Sequence, residues 1–187
     1  VYKRPRLPYE VHAAVFDWVL ALIAEAGLVK GERIGVDAST MEANAVLRNI
    51  VRRDTGEGYQ EMLEHLARES GIETPTAEDL ARLDRKRKGK KLSNQDWVSG
   101  SDPEARIAKM KNGTTHLAYK PEHAVDLDTG AVVAAELHPA GEGDTTTLSK
   151  TLAAAEANLE AVDAAPTAED PAECVTDKGY HSRAVLK

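Results

Sequence analysis

Two short apolar runs, each ending in an aspartate, constrain this 187-residue chain more than any other feature. In Arg33-Ile34-Gly35-Val36-Asp37-Ala38-Ser39-Thr40, the apolar Ile34, Val36 and Ala38 alternate with Gly35 and Asp37. That period of two is the pattern of a buried strand, and the glycine leaves room for close approach by a neighbouring chain or a ligand. Ser39 followed three residues later by Glu42 reads as a capping box, so a helix is expected to start there and the strand to end near Asp37. Cys174-Val175-Thr176-Asp177 has the same form 140 positions later and leads into Lys178-Gly179-Tyr180-His181-Ser182. As parallel neighbours in one sheet, the two runs would lie about 4.8 Å apart with both carboxylates at the same carboxyl-terminal edge. Two hard anions at one edge repel each other unless a cation lies between them, and oxygen-only ligands favour Mg2+ or Mn2+.

The intervening chain is patterned to deliver that pairing. Residues 1–30 read as a basic, Pro-rich linker followed by a packing helix, with Val11, Ala14, Val15, Trp18, Val19, Leu22 and Ile23 at helical spacing and Gly27 as the stop. After the first strand, a helix is expected over 40–53, with Ala43, Leu47, Ile50 and Val51 inward. A further helix runs from Tyr59 to Gly71, and a short one follows the Thr76/Asp79 capping box. Two strands, Thr115–Asp126 and Ala131–Leu137, flank the turn Asp128-Thr129-Gly130 and form an antiparallel meander with the first strand. Asp126 and Asp128 read as hairpin residues, and Asp144 as the cap of a helix through Leu148, Leu152, Ala155, Leu159 and Val162. That helix is a crossover, which returns the Cys174 strand parallel to the first. The class is therefore α/β: a mixed sheet, an antiparallel meander plus a parallel strand, with a helical insertion after the first strand.

Charge is distributed unevenly. The net charge is −7, yet Arg82 to Lys91 hold seven Lys or Arg and one Asp, while residues 121–174 hold twelve acids and a single base, Lys150. A concentrated basic segment on an acidic chain points to a localised anionic partner. Arg85, Lys86, Arg87, Lys88, Lys90 and Lys91 suit phosphates, and Trp97 beyond a polar loop suits an unstacked base. The alternative for such a run is a solvated loop. His116, His123, His138 and His181 show no zinc-ligand spacing, and Cys174 reads as a small core residue. No run approaches the roughly 18 apolar residues of a membrane span, and a cytoplasmic location is expected.

The segments Gly35-Val36-Asp37-Ala38-Ser39-Thr40 and Thr176-Asp177-Lys178-Gly179-Tyr180-His181-Ser182, with Leu117 to Asp126 and Asp128-Thr129-Gly130 between them, resemble the DDE-type insertion-sequence transposases. The resemblance implies a ribonuclease-H-like catalytic core over 31–43 and 113–187, interrupted by a helical and basic insertion over 44–112. It implies metal-dependent DNA strand cleavage and strand transfer, with Asp37 and Asp177 as catalytic metal ligands for two Mg2+ (or Mn2+) ions. It also implies double-stranded DNA, transposon ends and target, as the partner of a homodimer. The third acid of the family, a glutamate on a later helix, is expected beyond Lys187, so these 187 residues alone are expected to bind metal weakly and not to cleave DNA. Another ribonuclease-H-like nuclease, or a catalytically inactive DNA-binding remnant of a transposase, remains an alternative.

Overall fold

The computed structural model describes residues 7–87 and 93–182. In chain order its elements are α1 (Tyr9–Glu25), β1 (Arg33–Ala38), β2 (Met41–Glu42), β3 (Ile50–Arg52), α2 (Tyr59–Glu69), α3 (Ala77–Lys86), β4 (Trp97–Ser99), β5 (Arg106–Lys109), β6 (Thr115–Asp126), β7 (Val132–Pro139), α4 (Asp144–Glu160) and β8 (Glu173–Thr176), with 3-10 turns at Leu47–Asn49 and Lys178–Tyr180. The expected mixed α/β architecture of the ribonuclease-H-like kind is present. Two compact units divide the chain: Val1–Ser39, Pro121–His138 and Glu142–Lys187 form the first, and Thr40–Lys120 with Pro139–Gly141 the second.

The first unit is built around β1. On one side β6 runs antiparallel to it, with Ile34 opposite Asp126 and Ala38 opposite Glu122. On the other side β8 runs parallel, with Arg33 opposite Glu173 and Val36 opposite Thr176. The hairpin partner β7 pairs with β6. Alternation sends Ile34, Val36 and Ala124 to one face, where they pack with Leu20 of α1, Val133 and Ala134 of β7 and Leu148, Ala155 and Leu159 of α4. Each Leu, Ile or Val side chain so buried contributes roughly 1.5–3 kcal/mol.

Asp126 ties this sheet to the chain that enters it. It is fully buried, and its Oδ2 accepts the backbone N–H of Lys30 (2.6 Å) and Gly31 (3.1 Å). Its Oδ1 accepts those of Asp128 and Thr129 in the hairpin. Burial alone would raise the carboxyl pKa, and the four backbone donors outweigh it and hold the group below its ordinary value.

The second unit has its own core of Ala43, Ile50, Trp97, Ala105, Ile107 and Leu117. Leu63, Ala67 and Leu80 pack α2 against α3. The capping box of α3 forms as expected, with the Asp79 N–H donating to Thr76 Oγ1 and the Thr76 N–H to Asp79 Oδ2.

Four expectations are corrected. No helix forms over 40–53. Met41 and Glu42 instead pair with Tyr119 and Ala118 of β6, and Ile50–Arg52 pair with Trp97–Ser99. Long-range ladders and the β-branched Ile50 and Val51 override a helical spacing that was real but local. In α1 the packed residues are Leu20, Phe16, Ile23 and Ala24, while Val11, Val15, Trp18, Val19 and Leu22 are exposed. Gly143, not Asp144, is the N-cap of α4, and Asp144 lies in its first turn, where a carboxylate favours the helix dipole. Cys174 is exposed, because β8 ends the strand order of its sheet.

Candidate functional site

Val36 and Thr176 are the last register partners of the parallel pair β1 and β8, so Asp37 and Asp177 each follow directly at the same edge. Both carboxylates are exposed, and both line one groove of about 800 Å³ on the sheet, together with Gly35, His123, Val125 and Val175. One oxygen of each is held locally. Asp37 Oδ1 accepts the N–H of Ala38 at 2.9 Å, and Asp177 Oδ1 accepts that of Gly179 at 2.7 Å. The second bond makes Asp177 the N-cap of the Lys178–Tyr180 turn. Among the described residues the other oxygen of each has no hydrogen-bond partner.

The glycines around the groove are fitted closely. A Cβ on Gly35 would stand 2.6 Å from Leu127 Cδ2, so its missing side chain makes room for Leu127 lying across β1. A Cβ on Gly179 would stand 2.8 Å from Asp144 Oδ2 and 3.0 Å from Asp177 Oδ1. Those two carboxylates are therefore within the about 6 Å over which one charge perturbs another.

His123 is the groove residue for which sequence reasoning found no role. It lies directly opposite Asp37 in the antiparallel ladder, a position from which side chains touch across strands. Its distance of 86 positions from Asp37 hides it, and only the register of β1 on β6 reveals it. His181, four residues after Asp177, is exposed and closes the 3-10 turn. His116 pairs with Glu42.

The basic segment is divided by the structure. Arg85 and Lys86 are exposed on the last turn of α3 and line a shallow groove with Glu78, Ala81 and Arg82. Arg87 turns inward: its Nη2 donates to Tyr59 Oη at 3.2 Å and Asp84 Oδ1 at 3.5 Å, and its guanidinium lies 5.9 Å from the Tyr59 ring. Lys88, Lys90 and Lys91 lie outside the described residues. Trp97 is only 5% exposed. Its ring packs edge-on to Tyr59 with Arg52 beside it. The preceding polar loop is docked too, because the Asn94 side chain accepts the N–H of Ile107 (2.7 Å) and donates to its carbonyl (2.9 Å).

The family model of the transposase DDE domain matches residues 86–187, more than half of the chain. The chain belongs to that family. The matched stretch contains β4 to β8, α4 and Asp177, and it begins after Asp37. No curated protein and no solved structure matches the chain. A transposase-type, nuclease-like activity on DNA follows from the family, whose members generally use divalent metal ions. Among the described residues no three His, Cys, Asp or Glu side chains group as a metal site, and no helix is long and apolar enough to cross a membrane.

The donor chemistry of the groove fits a divalent cation. Two exposed carboxylates lining one groove supply hard ligands, and Mg2+ is commonly held by one or two carboxylates, with water and substrate phosphate filling its remaining positions.

Proposed function

We propose that Asp37 and Asp177 hold the divalent metal of a DNA transposase that cleaves and rejoins strands during movement of an insertion sequence. The observation that carries this reading is the parallel pairing of β1 with β8, which brings two carboxylates from opposite ends of the chain to one groove. When bound, Mg2+ or Mn2+, as two ions in the working complex, would supply Lewis-acid chemistry at the phosphodiester. Asp37 and Asp177 would hold the metal through the oxygens left without a hydrogen-bond partner among the described residues, while their other oxygens are fixed by Ala38 and Gly179. His123 neighbours Asp37 across the ladder and lines the same groove. Arg85 and Lys86 hold phosphates of double-stranded DNA, which a second copy of the chain would share.

Paramagnetic Mn2+ titrated into the labelled protein tests the site. The reading expects the resonances of Asp37, His123, Asp177 and Gly179 to broaden first and Mg2+ to reverse the effect. Broadening that starts elsewhere overturns it. In a transposition assay, strand joining as well as cleavage at the same ends distinguishes a transposase from a nuclease of the same fold.

A further inference from the structure

Directly beneath the groove, on the opposite face of the sheet, a carboxylate is buried in a ring of hydroxyls. Glu122 on β6 has no exposed surface and stands opposite Ala38, the residue after Asp37. Its Oε1 accepts Tyr180 Oη at 2.9 Å and Thr147 Oγ1 at 2.8 Å, and its Oε2 accepts Thr151 Oγ1. His138 Nε2 lies 3.0 Å from Thr151 Oγ1 and 3.5 Å from Glu122 Oε2. Tyr180, Thr147, Thr151 and His138 are all buried.

The distribution of protons orders the cluster. An ionised carboxylate only accepts, and three hydroxyls aimed at its two oxygens suit that state. The single proton of Thr151 is then committed to Glu122, so His138 donates from Nε2 to the Thr151 oxygen. Tyr180 stays protonated, because burial first, then the hydrogen bond and charge of Glu122, with Asp144 and Asp37 behind them, push its pKa far up.

Tyr180 is also the last residue of the 3-10 turn that Asp177 caps. The β1/β8 ladder ends at Val36 and Thr176, one residue short of both aspartates. Beyond that rung, a short turn carries Asp177, and Glu122 grips the far end of the turn through Tyr180. The same Glu122 is fixed by its own ladder to Ala38. We infer that Glu122 is a positioning residue which, through Tyr180, sets the Asp177 carboxylate relative to Asp37. This rests on the reading of those two aspartates as a metal pair. A buried charge with all its partners present costs desolvation and returns a single geometry, and removing one partner exposes that cost.

Tyr180→Phe removes only the hydroxyl that reaches Glu122, Glu122→Gln keeps shape and loses charge, and Asp37→Ala is the control for the metal reading. In the full 187-residue chain, amide exchange at Gly179, whose N–H caps Asp177, is expected to speed about tenfold in Tyr180→Phe, the scale of one buried hydrogen bond. Exchange at Val133, in the same core but on another strand, stays as in the parent. Mn2+ affinity is expected to fall by a similar factor. Unchanged Gly179 exchange in Tyr180→Phe overturns the inference, even if Glu122→Gln fails to fold. Faster exchange with unchanged Mn2+ affinity, where Asp37→Ala abolishes Mn2+ binding, also overturns it. If Asp37→Ala leaves Mn2+ binding intact, the metal reading fails instead, and Gly179 exchange alone decides whether Glu122 positions the turn.

Discussion

The β1/β8 edge of the first unit and the basic segment of the second both present charged residues, yet they reach their positions by opposite routes. Asp37 and Asp177 emerge at the ends of strands whose inward partners, Ile34 and Val36 among them, are fixed in a core. Their placement follows from the burial of their neighbours. In the second unit the charges themselves are sorted by the core. Arg85 and Lys86 stay outside, whereas Arg87 and Trp97 are drawn in against Tyr59. Hydrophobic periodicity thus predicts where a strand-end carboxylate points, and charge density does not predict which members of a run face a partner.

The sharpest challenge to that contrast is Trp97→Ala. Truncating a buried aromatic is expected to cost roughly 3–5 kcal/mol in urea unfolding, without changing DNA affinity per folded molecule. Unaltered stability with weakened binding to single-stranded DNA would return Trp97 to the surface role expected of it from sequence.

A smaller loss is expected on the ladder side. Asp126→Ala orphans four backbone N–H groups and should cost about 2 kcal/mol or more at neutral pH. The folded pKa of Asp126 is depressed, so its ionisation stabilises the fold above the ordinary carboxylate pKa. That contribution is lost as pH falls through the depressed value. Unfolding followed between neutral and acid pH should therefore show the parent and Asp126→Ala converging at low pH. A gap constant with pH would assign the loss to packing alone.

Smaller again is the division within the basic segment. Arg85→Ala with Lys86→Ala should flatten the log–log salt dependence of DNA binding by about 0.9 for each phosphate that is no longer neutralised. Arg87→Ala should leave that slope alone and lower stability by about 1 kcal/mol, through its bonds to Tyr59 and Asp84. A slope change from Arg87→Ala would break the contrast between the two regions.

The same division explains how far the sequence could be read. The alternation of Ile34, Val36 and Ala38, the turn at Asp128-Thr129-Gly130 and the apolar spacing of α4 are local signals whose cores agree with them. The 40–53 segment carries an equally good local signal for a helix. It loses to pairing with residues 118–119 and 97–99, a competitor that no window around Ser39 contains. His123 and Glu122 were hidden in the same way. Their meaning comes from standing opposite Asp37 and Ala38, which only the register supplies. An aromatic beside a basic run carries one composition whether it faces a base or, as Trp97 does here, a tyrosine.

The joint action of Asp37 and Asp177 is most directly tested by calorimetric Mn2+ titration of the parent, Asp37→Ala, Asp177→Ala and the double variant. If one ion is shared, each single change removes nearly as much affinity as both together, the non-additivity of residues acting as a unit. Independent, additive losses, or binding that survives Asp37→Ala, would contradict a shared site at the β1/β8 edge.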